Sequence, residues 1–193
     1  MRVLKTNIYT FDELPDDAKE RAREWWRGCF AQDSEWYDYT IDDSKECLSL
    51  LGFTATDILF TGFWSQGDGA CFTGSWSASD VKPVRAMRAH APKDDTLLRL
   101  SRDLNRLKRR DREAYATLIH RYRYCHENTI GFDIRNAKRD DTIDTLTELS
   151  RDAMRWVYRQ LEQEYEFMTA NEQVDDAIRA NEYEFTEAGK RIA

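Results

Sequence analysis

The chain has 193 residues, of which only three are proline, eight glycine, four cysteine and three histidine, and each scarcity closes off a class of protein. So little proline and glycine leaves no long flexible linker, and a single globular domain over 1–193 is predicted. No stretch approaches the roughly 18 consecutive apolar residues of a membrane-spanning helix, so no membrane partner is expected. The opening MRVLKTNIY carries no apolar core of a signal peptide. Cys29, Cys47, Cys71 and Cys125 follow neither a disulfide framework nor a zinc spacing, which points to free thiols in a reducing cytoplasm.

Catalytic signatures are missing as well. His120, Cys125 and His126, with His90 as a fourth member, match no zinc pattern, and His120 reads as a core histidine on an apolar strand. No metal or cofactor is predicted. The glycine-rich GDGACF lacks the Lys-Ser/Thr that closes a phosphate loop. Serine, cysteine and histidine show no nucleophile-elbow context. Acidic residues are abundant but sit mostly on predicted helix surfaces, where they solvate rather than converge on a substrate. Asp68 is the one acid in a glycine-rich loop flanked by aromatics, and a small-ligand enzyme would need it to meet a histidine in a cleft. No catalytic residue is assigned.

What the chain does have is apolar mass and segregated charge. The 41% hydrophobic and 12% aromatic content is enough for a core, and the net charge of −7 is unevenly spread. Residues 11–46 hold twelve acids against five bases, 82–123 thirteen bases against five acids, and 156–193 nine acids against four bases. Such a chain is not a uniformly basic nucleic-acid binder, though a local basic face is possible.

Periodicity predicts an α+β fold, an antiparallel sheet of about five strands with a central glycine/aromatic hairpin, packed by five to six helices. A strand is expected at 2–9 and a helix at 15–30 with Pro15 in its first turn. A second helix follows Asp33 and Ser34, carries the stripe Tyr37, Ile41, Ser44, Leu48 and Leu51, and stops at Gly52. Further helices are expected at 80–92, at 95–111 (stripe Leu97, Leu100, Leu104, Leu107), at about 142–168 (Leu146, Leu149, Ala153, Trp156, Leu161) and at 171–180, the last two docked together. Strands are expected at 114–124 and 129–135, with Leu118, His120, Tyr122 and Tyr124 on one core-facing side, and EYEFT reads as a final strand.

The densest segment is TGFWSQGDGACFTGSW, residues 61–76, with four aromatics and half of the chain's glycines. It reads as a β-hairpin turning at Gly67, which would set Trp64 opposite Ala70, Gly62 opposite Phe72, Phe60 opposite Gly74 and Ile58 opposite Trp76. Each strand glycine would then lie under a phenylalanine. The loop Ser65–Gly69 supplies glycines for positive φ and an Asp68 that can bond its own backbone.

Four segments carry a resemblance: YTFDELPDDAKERAREWWR, FTGFWSQGDGACFTGSW, HAPKDDTLLRLSRDL and QLEQEYEFMTANEQVDDAIRANEYEFTEAGKR. Together, and in this order, they resemble a family of small accessory proteins of tailed bacteriophages, sometimes labelled antitoxins of toxin–antitoxin systems. The chain lacks the DNA-binding half and disordered tail of modular antitoxins. What the resemblance implies is a phage-encoded, non-catalytic, anti-CRISPR-like protein that binds and inhibits a host defence protein or ribonucleoprotein complex. Candidate partner-binding residues are the acidic Asp16, Asp17, Glu20, Glu24, Asp42 and Asp43, and the hairpin-loop residues Trp64, Gln66 and Asp68. The competing reading is an antitoxin-like or RNA-binding accessory protein using Arg99, Arg102, Arg106, Arg109, Arg110, Arg121 and Arg123.

Overall fold

The computed structural model describes residues 7–33 and 35–192, so most of the strand expected at 2–9, and the cap Ser34, lie outside the described residues. The fold is α+β, with a four-stranded and a two-stranded antiparallel sheet and six α-helices among the described residues. The chain divides into two units, residues 1–38 with 163–193 and residues 39–162.

The first unit is built from β1 (Tyr9–Thr10), α1 (Asp16–Phe30), α6 (Asn171–Ala180) and β6 (Glu184–Phe185). Strands β1 and β6 pair antiparallel, Tyr9 opposite Phe185. Pro15 caps α1 from outside rather than entering its first turn, its carbonyl accepting from Ala18 and Lys19 N–H. Ala18 and Ala22 recur at the spacing of one helix face, and they bury against Phe11, Leu14, Val174, Ile178 and Phe185. At the edge of this core Arg23 grips Asp175 through two hydrogen bonds of 2.6 and 2.7 Å. The Arg191 guanidinium lies over the rings of Trp25 and Tyr183.

The second unit contains α2 (Asp38–Leu50, starting four residues beyond the expected cap), β2 (Phe53–Thr61), β3 (Gly69–Ser77), α3 (Val84–His90), α4 (Asp95–Arg110), β4 (Tyr115–His120), β5 (Ile130–Arg135) and most of α5 (Asp140–Thr169). The sheet order is β2-β3-β4-β5, a simple meander. All four leucines of the α4 stripe and all five residues of the α5 stripe are buried, as are Phe72 and Trp76 of β3. Asp94 ties these layers together. Its carboxylate caps α4 by accepting from the Leu97 N–H at 2.8 Å and also accepts from the Trp156 indole of α5 at 2.7 Å. Buried Asp111, just past α4, accepts from the Thr142 hydroxyl and the Lys138 N–H, and these bonds hold its carboxyl below the usual carboxylate range.

Three expectations are corrected. The hairpin exists, but its register is not the one drawn from glycines facing phenylalanines: Phe60 pairs with Ala70, Ile58 with Phe72, and Phe53 with Trp76, with a bulge between Ala55 and Ile58. The connecting loop is longer than a turn centred on Gly67, and Gly62 falls within it. Gly74 is there for backbone, not for an aromatic lid. Its φ is +134°, and a Cβ would stand 2.0 Å from the Thr54 carbonyl oxygen, so only glycine lets β2 approach at the bulge. The helix expected at 80–92 is shortened to Val84–His90 because Pro83 forms its N-terminal boundary. Finally, β4 stops at His120 instead of running to 124, which leaves Tyr122 and Tyr124 exposed rather than in the core.

Gly74→Ala is expected to cost about 1–3 kcal/mol for the backbone conformation alone, with the Thr54 collision added. The measurement is the urea midpoint, and an unchanged midpoint would show that the bulge can relax.

Candidate interaction face at the loop end of the sheet

The meander places two connections at the same end of the sheet. Thr61 at the end of β2 pairs with Gly69 at the start of β3, and His120 at the end of β4 pairs with Ile130 at the start of β5. Because neighbouring strands run antiparallel, loop 62–68 and loop 121–129 emerge side by side. They touch near their roots: a Cβ on Gly69 would meet the His126 ring at 2.8 Å and the Cys125 carbonyl at 3.3 Å.

Loop 62–68 is braced from within. The Ser65 N–H donates to Asp68 Oδ2 at 2.8 Å, and the Asp68 N–H donates to the Ser65 carbonyl at 3.1 Å. This is the local turn bonding that an aspartate supplies, and it commits Asp68 to structure. Phe63 sits between Phe60 and Tyr158 of α5, with ring centroids at 6.0 and 5.6 Å. The Tyr158 hydroxyl donates to the Gly62 carbonyl at 3.4 Å; burial raises its pKa, and Glu162 and Asp68 add to the shift. Trp64 at φ +68° is carried outward on this frame and is 65% exposed. A bulky residue in the left-handed region is held there only by surroundings that over-determine it.

Loop 121–129 is held by its own short helical turn, Glu127–Thr129, and by Arg155 of α5, which pairs with Glu127 at 3.2 Å. Tyr122 and Tyr124 are 65% and 63% exposed. Arg121 and Arg123 alternate with them in the chain and are exposed, the Arg121 side chain lying across Gly131. One sheet end therefore presents Trp64, Tyr122, Tyr124 and two arginines on braced loops.

Beneath it, Cys71 of β3, His120 of β4 and Cys125 of the second loop each bring one ligand atom within 4.8 Å of the others. Burial pushes the Cys71 thiol up to about 11, neighbouring Cys125 adds to the shift, and Thr129 and the His126 backbone hold it back. The sequence had grouped His120 and Cys125 with His126 and His90. The fold exchanges those two histidines for Cys71, which arrives from another strand. A second triplet, Asp43, Cys47 and His90, joins α2 and α3, and there the His90 nitrogens face Asp43 at 3.8 Å and Glu46 at 3.6 Å.

The other sequence candidates are dispersed. Asp16, Asp17, Glu20 and Glu24 belong to α1 in the first unit, whereas Asp42 and Asp43 belong to α2 in the second. Asp17 pairs with Arg21, and Glu20 with Arg23 and Arg27, so half of the α1 set is occupied internally. On α4, Arg99 pairs with Asp152, Arg106 with Asp103 and Arg110 with Asp141. Only Arg102 and Arg109 of the α4 arginines proposed for RNA make no ion pair among the described residues. Gln66 stays with Trp64 and Asp68 in the first loop.

A family model matches residues 36–171, a span that contains the four-stranded sheet and both loops. The chain belongs to this family, described as a domain of unknown function, DUF8835. No curated protein and no solved structure matches the chain. No helix among the described residues is long and apolar enough to cross a membrane. The family assignment thus covers the candidate face while leaving all of α1, and all of α6 beyond its first residue, outside the match.

Replacing Trp64, Tyr122 or Tyr124 singly by alanine is expected to change stability by no more than about 1 kcal/mol, as exposed positions do. Trp76→Ala should cost about 3–5 kcal/mol, because its buried indole also donates to the Leu51 carbonyl. Denaturation curves of the four variants check this; a large loss at the three exposed sites would mean the loops hold the fold.

Proposed function

We propose that this protein is a cytoplasmic, non-catalytic binding module that docks a partner protein on the loop end of its larger sheet. The observation that carries the reading is the grouping of Trp64, Tyr122 and Tyr124 with Arg121 and Arg123 on braced loops. Tryptophan, tyrosine and arginine are the residue types that dominate interface hot spots. A loop already held in shape loses little entropy on binding. With the phage resemblance, the partner proposed is a host defence protein or ribonucleoprotein complex, inhibited by occlusion.

One observation favours nucleic acid as a second reading. Tyr122 and Tyr124 are exposed beside Arg121 and Arg123, an arrangement that can stack bases and neutralise phosphates. Helix α4 contributes less to that reading, because three of its arginines are engaged by the chain's own carboxylates.

The test is affinity capture from nuclease-treated lysate of bacteria carrying several defence systems, comparing the wild-type chain with Trp64→Ala/Tyr122→Ala. The proposal expects a stoichiometric protein that survives nuclease and is lost with the double variant, while Arg102→Glu/Arg109→Glu still captures it. Material that disappears on nuclease treatment, with affinity falling steeply as salt rises, would replace it with the nucleic-acid reading. A protein captured equally by wild type and double variant would move the surface elsewhere.

A further inference from the structure

We propose that Cys71, His120 and Cys125 form a zinc site that locks loop 121–129 onto strand β3 and leaves one coordination position open. Three features carry this. The donor set is two thiols and one imidazole, a combination that suits zinc and excludes the hard cations that prefer oxygen. The three ligand atoms already lie within 4.8 Å of one another, and two sulfurs bound to one tetrahedral zinc stand about 3.8 Å apart given zinc–sulfur bonds of about 2.3 Å. Side-chain rotation closes that difference without moving the strands.

The third feature is the surroundings. A metal-bound histidine commonly donates its other ring N–H to a backbone carbonyl, which fixes the tautomer. Here the Tyr124 carbonyl lies 2.9 Å from His120 Nε2, so a proton on Nε2 leaves Nδ1 with a free lone pair. His126, next to Cys125, has its Nδ1 engaged by the Asn128 N–H, which holds the loop in the shape that presents Cys125. Cys71 is buried and Cys125 half-buried, so the ion would be shielded on the strand side and open toward the loop.

Three protein ligands leave the fourth position to water or to a group brought by a partner. With both thiols deprotonated the bound ion is neutralised, which removes the cost of burying a charge under the sheet end. The competing triplet on α2 and α3 has a single thiol and a histidine already facing two surface carboxylates. It lacks the second soft donor.

This site does not depend on the binding function proposed above, and its test reads the metal directly. The full chain is expressed in zinc-supplemented medium, purified under reducing conditions without metal-affinity steps, and assayed for zinc by mass spectrometry. Cobalt(II) is then titrated into the chelator-stripped protein. The expected results are one zinc per chain and a thiolate-to-cobalt charge-transfer band with tetrahedral visible bands. Cys125→Ser and His120→Gln should each weaken zinc by more than the roughly 10–100-fold that losing a supporting hydrogen bond costs. Cys29→Ser, an exposed thiol in the other unit, should change nothing. Zinc should also slow amide exchange in 121–129. Circular dichroism of the two ligand variants separates lost ligation from lost folding. Absence of stoichiometric zinc together with absence of the cobalt–thiolate band overturns the site. So does a Cys71–Cys125 disulfide that persists under the reducing conditions, or zinc binding unchanged in Cys125→Ser and abolished by His90→Gln.

Discussion

The register of β3 is the constraint on which the rest of the larger unit depends. This strand is bonded along both edges, to β2 and to β4, so its position decides which residues reach the core and which reach the loops. That position is set where the Thr54 carbonyl meets the bare α-carbon of Gly74. Moved by one residue, Phe72 and Trp76 would leave the core and Cys71 would leave His120 and Cys125. Gly52 plays a related part at the end of α2. Its φ of +89° and its contact with Val81 turn the chain into β2 with no room for a side chain.

Much of this fold is legible in the sequence where one physical signal dominates. The α4 stripe Leu97, Leu100, Leu104 and Leu107 gives a helix whose observed limits, Asp95–Arg110, differ from expectation by one residue, and Asn171–Ala180 matches outright. These are local patterns of period 3.6, and burial of one face is enough to select them. The hairpin was legible as a hairpin but not in register. Glycine facing phenylalanine is a weak energetic preference, whereas the Gly74 approach is a steric requirement that appears only when β2 is in place. Tyr122 and Tyr124 were misplaced for a similar reason. Alternation extends a strand on paper past His120, but pairing with β5 begins at Ile130 and the intervening residues have no partner strand.

The candidate site was legible in part. Trp64, Asp68, Arg121 and Arg123 are visible in the sequence as an aromatic, a turn acid and two bases, but nothing local says that two loops sixty residues apart share one sheet end. The Cys71–His120–Cys125 grouping is harder still, since its members come from two strands and a loop and produce no fixed spacing. Conversely, the charge segregation that drew attention to α1 and α4 is largely consumed by internal pairs such as Glu20 with Arg23 and Arg110 with Asp141. Exposed pairs of this kind contribute little to stability. Their effect is to leave less unpaired charge at the surface, which shifts weight from the helices to the loops.

The central claim is that the loop end of the sheet is the working surface. A photocrosslinking amino acid placed in turn at Trp64, Tyr122, Arg102 and Glu24, with the chain expressed in bacteria and irradiated, tests it most directly. The account predicts one discrete protein adduct at positions 64 and 122 and none at 102 or 24. Adducts at 102 or 24 with none at 64 and 122 would contradict it and return the function to the helices.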